Sequence, residues 1–271
     1  MNFNSKEIKI FKGKNYIFIF GFPGSGTTIL AKQLAYNLSA SLWLEPYYIW
    51  RFNLINNYQD NFNFNDFSKK IILEIRNDFY KYYKKSNKRF LIEKEPRNIL
   101  NFLIIKKIFP EAKFIFIKKK YIKKNFQTIK RKTTVRKNKS LINDIHDIYK
   151  KINEQKFLIF KLKLLYYEFK SMDRTREYIK KYINIGNVRW GIKLKINKKY
   201  LYVDNEKNFQ KIYSIYKDKL KRLKKDNYIV VELEKLALNF ENEFLKISKF
   251  IGKDNFINRT CIINKKRILN K

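Results

Sequence analysis

Short apolar runs rich in β-branched and aromatic residues recur along the chain at Tyr16–Phe20, Ser41–Leu44, Arg89–Ile92, Lys113–Ile117 and Tyr228–Leu233. Each has the length and composition of a buried strand. Stretches of helical period separate the first four, near Thr28–Asn37, Phe67–Lys85 and Asn98–Ile108, the last of them stopped by Pro110. Strand–helix alternation of this kind predicts an α/β fold: three layers, with helices on both faces of a mostly parallel sheet of about five strands. From about Lys120 to Lys181 the pattern is nearly all helical, rich in Lys and Tyr and devoid of Pro and Gly. It predicts a helical insertion, about residues 130–200, within a single domain spanning 1–271. A last helix over Asn239–Ile251 ends at Gly252, the residue that most readily adopts the left-handed C′ conformation. A basic tail follows, about residues 254–271, and the N-terminus leads straight into the first strand.

The first strand runs into Gly21-Phe22-Pro23-Gly24-Ser25-Gly26-Thr27-Thr28, and a helix follows at once. Glycines let backbone N–H groups converge, and the positive end of the helix favours an anion there. Gly24, Ser25, Gly26, Thr27 and Thr28 are therefore candidate phosphate-binding residues. Nucleotide-hydrolysing loops of this type place Lys and then Ser/Thr after the last glycine. Thr27 occupies that lysine position, and Lys113–Ile117 holds no acid to bind Mg²⁺. The loop points to phosphate more than to ATP. Parallel sheets bind ligands at the carboxyl ends of their strands. Glu45, closing the second strand, and Lys94, closing the third ahead of Pro96, are the charged candidates there. The competing reading of each is an ordinary exposed side chain.

Composition changes this picture little. Net charge is +38, from 62 Lys+Arg against 24 Asp+Glu. The lysines are spread along the chain instead of forming one arm, which favours compositional bias over a dedicated polyanion site, although a phosphate-rich ligand or an anionic surface would be drawn in. A lone cysteine, Cys261, excludes a disulfide framework and a cysteine zinc cluster, and a lone histidine, His146, excludes a multi-histidine metal site. His146 lies in a polar helical stretch and is expected at the surface. No apolar run reaches the roughly 20 residues of a membrane span, and no signal-peptide pattern opens the chain, so a cytoplasmic protein is expected.

Several motifs, in order, carry a resemblance. Gly21–Thr28 resembles the 5′-phosphosulfate loop of sulfotransferases that use 3′-phosphoadenosine-5′-phosphosulfate (PAPS), whose core reads Ser-Gly-Thr-Thr. Glu93-Lys94-Glu95-Pro96 resembles their Glu-Lys-Thr-Pro turn, and Phe109-Pro110-Glu111-Ala112 their Phe-Pro-Asp-Ala strand entry. Trp190-Gly191 resembles a pair found in bacterial members. Val231-Glu232-Leu233-Glu234-Lys235-Leu236 is similar to their last strand, and Phe250-Ile251-Gly252 to the end of their last helix. The resemblance implies PAPS as co-substrate without a metal, and a hydroxyl acceptor on a glycan, a lipid-linked sugar or a tyrosine. It makes Glu45 the general base, Lys94 the cation on the leaving oxygen, and Lys119 and Gln127 the 3′-phosphate ligands. Glu234 would brace backbone, Trp190 would pack, and Arg97 would form a surface ion pair. Glu93 and Glu95 would tune or pair with Lys94. The family places Lys or Arg where this chain has Gly24; Lys94, Lys32 and Arg51 are the candidate replacements. A nucleotide kinase or other P-loop NTPase, a catalytically lapsed family member and a plain polyanion binder are the competing functions.

Overall fold

The structure is a computed structural model, and it describes residues 5–22, 24–54, 60–118, 141–170, 193–196, 199–202 and 206–252. A five-stranded, all-parallel sheet lies at its centre, in the order β2 (Ser41–Leu44), β3 (Leu91–Lys94), β1 (Tyr16–Phe20), β4 (Lys113–Lys118), β7 (Tyr228–Glu232). Side chains of successive strand residues point to opposite faces, and this sequence uses the two faces differently. Tyr16, Phe18 and Phe20 of β1 join Phe114 and Phe116 of β4 in one aromatic layer. Ile17, Ile19, Ile92, Ile115 and Ile117 form an aliphatic layer on the other side. Rings of Phe18, Phe79 and Phe109 pack with centroids 4.9 to 5.6 Å apart.

The strand order sets where the helices go. The β1–β2 connection runs toward one edge and the later ones toward the other. Right-handed crossovers then put α2 (Thr27–Asn37) on the aliphatic face, and α4 (Lys69–Ser86) and α5 (Phe102–Ile108) on the aromatic face. α9 (Leu233–Leu238) and α10 (Phe240–Ile251) complete the aliphatic layer. Connections diverge between β1 and β4, the switch point at which such sheets open a crevice. The three-layer α/β arrangement with helices on both faces is the one the alternation predicts.

Several local expectations are corrected. A helix α1 (Ser5–Phe11) precedes β1, tied down by the Tyr80 hydroxyl donating to Glu7 at 2.6 Å. The third strand lies two residues later than predicted, so Lys94 belongs to it. The helix expected over Asn98–Ile108 splits into a 3₁₀ turn, Pro96–Leu100, and α5. Asn101 is the break: its side-chain oxygen accepts the Phe62 N–H at 2.9 Å and its amide donates to the Asp60 carbonyl at 3.0 Å. Those bonds hold it at φ −109°, ψ 2°, outside helix geometry. The last strand ends at Glu232, so Glu234 sits in the first turn of α9, where an acid suits the helix dipole. α10 does end on a left-handed Gly252, φ 80°.

The insertion contains the helices α6 (Leu141–Glu154) and α7 (Leu158–Lys170). Its C-terminal end is not helical: β5 (Lys193–Ile196) and β6 (Lys199–Tyr202) form an antiparallel hairpin. α8 (Glu206–Lys221) then leads back to the sheet. His146 is exposed on α6. Trp190, Gly191, Cys261 and the basic tail lie outside the described residues. No described helix is long and apolar enough to cross a membrane.

Candidate active site

The loop after β1 is shaped by what its glycines must avoid. A Cβ on Gly21 would strike Ser25 Oγ, and would come within 2.7 Å of a Thr27 methyl and 2.8 Å of an Ile117 methyl. At Gly26 it would lie 2.7 Å from Leu233, and φ there is +94°. Gly24 is also left-handed, φ 86°. The chain thus folds back tightly, with the Ser25 N–H donating to Phe22 O at 2.9 Å, and delivers α2 with no side-chain cap at its N-terminus. Uncapped first-turn amides and the helix dipole favour an anion. Ser25 is 1% exposed and its hydroxyl has no hydrogen-bond partner. A buried hydroxyl in that state costs stability unless something bonds it, so the residues present fit an oxyanion. Thr27 is buried beside it, and Thr28 turns toward a neighbouring cleft.

That cleft, about 150 Å³, lies over the carboxyl ends of β2 and β3. Leu44, Glu45, Tyr47 and Lys94 form its floor; Lys151 and Glu154 of α6, Gln155 directly after it and Leu164 of α7 form its roof. Glu45 is the turn out of β2. Its N–H still donates to the Lys94 carbonyl at 2.8 Å, completing the ladder. Its φ is +50°, in the left-handed region that costs a non-glycine residue roughly 1–2 kcal/mol. Pro46 disfavours the ordinary helical alternative for the residue before it. The resulting turn brings the Glu45 carboxylate within 2.6 Å of Lys94 Nζ. The pair is asymmetric: the Lys94 side chain is 3% exposed and that of Glu45 46%. Lys94 is thus fixed in the sheet, between Leu44 and Ile19 in register, while its partner faces the cleft.

Neither Glu93 nor Glu95 forms an ion pair with Lys94, one of the two roles expected of them, while its charge still acts on both carboxyls. Alternation turns Glu93 to the aromatic face, where it accepts the Trp50 indole N–H at 3.0 Å. Burial, then the charge of Glu95, push its carboxyl well above the usual range. Glu95 accepts the Arg97 N–H at 2.9 Å and caps the 3₁₀ turn. Burial, then the nearby Glu45 carboxylate, push the Glu95 carboxyl up to about 7, against the pull of Arg97. In the unfolded chain a glutamate titrates near 4.3. Between those values the folded chain keeps a proton that the unfolded chain has released, so stability falls as pH rises. Unfolding midpoints measured from pH 5 to pH 8 should therefore show Glu95→Gln gaining on the wild type as pH increases. A difference independent of pH would sink this assignment.

Two of the replacement cations are placed elsewhere. Arg51 is buried against Asp60 and over the Phe62 ring, and Lys32 is exposed on α2. Arg97 forms its ion pair, 3.0 Å from Asp60, but the partner is a buried carboxylate rather than a surface one. Lys118, at the end of β4, pairs with Glu232 at 2.9 Å. Lys119 and Gln127 lie outside the described residues. The structure therefore brings together Thr28, Glu45 and Lys94, with Ser25 in the adjoining loop. The roof residues were not legible from spacing. Their only signal is the helical period of the insertion, which says nothing about what it covers. Gln155 anchors the roof by accepting Trp43 Nε1 at 3.2 Å and the Tyr48 hydroxyl at 2.8 Å, and Glu168 of α7 accepts the Tyr47 hydroxyl.

No family model matches the chain, and no curated protein matches it. Among solved structures it is similar to the "Sulfotransferase Domain from the Synechococcus PCC 7002 Olefin Synthase", with 15% identity, coverage of 90% of this chain and 75% of that one, and a TM-score of 0.39. A likeness of this grade leaves the chemistry to the residues themselves.

Proposed function

We propose that the chain is a sulfotransferase that moves a sulfuryl group from PAPS to an acceptor hydroxyl. The observation that carries this reading is the Glu45–Lys94 pair, 2.6 Å apart at adjacent strand ends, in one cleft with Thr28 of the anion-binding loop. Ser25–Thr28 hold the 5′-phosphosulfate through backbone amides and hydroxyls; Lys119 and Gln127 serve the 3′-phosphate. The acceptor, a hydroxyl on a sugar or a tyrosine, enters the cleft beneath α6 and α7. Its oxygen attacks sulfur, forming the new O–S bond as the bond from sulfur to the bridging phosphate oxygen breaks. The acceptor proton passes to Glu45, and the charge left on the phosphate oxygen faces Lys94. An ammonium has three donors, so pairing with Glu45 does not exhaust it.

Support against an ATP-hydrolysing alternative comes from the buried Thr27 in the lysine position and from β4, which carries no acid. Phosphoryl transfer from ATP depends on Mg²⁺ and on such a lysine. Adenosine 3′,5′-bisphosphate, the desulfated product, should raise the unfolding midpoint; at a hundred times its Kd the gain is about 2.7 kcal/mol. Mg-ATP should not raise it. The opposite ranking would replace this reading with a P-loop NTPase, and a response to neither nucleotide would remove both.

A further inference from the structure

The loop at the end of β1 offers amides and hydroxyls to an anion but no cation, since Gly24 precedes Ser25 and Thr27 follows Gly26. A phosphosulfate held there still needs its charge offset. Among the described residues, the cations lining the cleft beside Thr28 are Lys94 and Lys151. Lys94 is buried beside Glu45 and in the mechanism above faces the bridging oxygen, which leaves the other phosphosulfate oxygens to be offset. Lys151 arrives from α6, and its position is built rather than incidental. Its ammonium stands 5.2 Å from the centre of the Tyr47 ring, and Tyr47 is itself held by Glu168. One turn further on, Gln155 donates to the Lys151 carbonyl at 3.3 Å while accepting from Trp43 and Tyr48. These bonds fix the register of α6 over the strand ends. The carboxylates sharing the cleft with Lys151 are Glu45 and Glu154.

We propose that Lys151 is the cation the loop itself lacks: it faces the 5′-anionic group of the donor, so that α6 is part of the donor site and not only a roof over the acceptor. The inference rests on the donor reading above. A single charge-assisted hydrogen bond from an ammonium to phosphate has a predictable signature. By calorimetry, Lys151→Gln should bind adenosine 3′,5′-bisphosphate roughly 10- to 100-fold more weakly than the wild type. It should bind adenosine 3′-phosphate, which lacks the 5′ group, as the wild type does. Lys151→Arg should restore most of the loss. Lys150→Gln, the same charge change at an exposed neighbour, should bind like the wild type, and unliganded unfolding midpoints show whether each variant is folded. Equal binding by Lys151→Gln and the wild type would overturn the proposal while leaving the donor reading standing. Equal weakening toward both nucleotides, or a matching loss in Lys150→Gln, would also overturn it, as a general field effect. A wild type that ignores the bisphosphate altogether would end the donor reading and this inference with it.

Discussion

If the chain transfers sulfuryl groups as proposed, Glu45→Gln is expected to lower turnover of labelled PAPS by roughly 10²–10⁴-fold, the contribution of a positioned general base. The substitution keeps the shape and removes only the ability to take the acceptor proton. It should not weaken adenosine 3′,5′-bisphosphate binding, because it deletes a negative charge beside an anion site. The same change leaves the Lys94 ammonium, 3% exposed, without its 2.6 Å counter-charge. Folding should be preserved, because Glu45 is itself half-exposed. Turnover in Glu45→Gln within a few fold of the wild type would take Glu45 out of the mechanism, whatever becomes of the donor site.

The largest loss of stability is expected at Asp60, a residue with no part in the chemistry. Its carboxylate accepts from Arg51 and, at 3.0 Å, from Arg97, and it is 1% exposed. Its carbonyl accepts the Asn101 side chain at 3.0 Å. Arg51 ends α3 (Tyr47–Arg51), directly after the Glu45 turn, and Arg97 belongs to the 3₁₀ turn after Lys94. One buried carboxylate therefore joins the two segments that present the Glu45–Lys94 pair. Removing one partner from such a buried network typically costs about 3–5 kcal/mol, since here two guanidinium groups lose a shared counter-charge. Asp60→Ala should lower the melting temperature on the order of 10 °C, with Asp60→Asn losing less. A melting temperature within a degree or two of the wild type would mean the arginines find other partners.

Much of the frame was legible because it follows from short-range pattern. Four of the five predicted strands begin where expected, because short runs rich in β-branched and aromatic residues favour a strand over a helix. The turn at Gly21–Thr28 was readable because glycine is required where a Cβ would meet Ser25 or Leu233. The failures have causes that lie far away in the chain. The helix over Asn98–Ile108 broke because Asn101 spends its side chain on a loop some forty residues earlier. An exposed side chain is the competing reading for Lys94, and Glu93 and Glu95 are expected to tune or pair with it, yet all three side chains are buried. Alternation along a strand aims neighbours at different surroundings, and sequence order does not name those surroundings.

The α/β class with its mostly parallel sheet, the glycine-rich turn after the first strand and the two charged residues at strand ends were legible in the amino-acid sequence, since each follows from periodicity, glycine and proline within a few residues. What only the tertiary structure decided is which distant groups meet there. Gln155 bonds to Trp43, Lys151 lies over Tyr47, and Arg51 turns inward to Asp60 rather than toward the loop. Such contacts depend on how a helix pair packs onto a sheet some hundred residues away, a choice made by burial and hydrogen-bond satisfaction over the whole molecule.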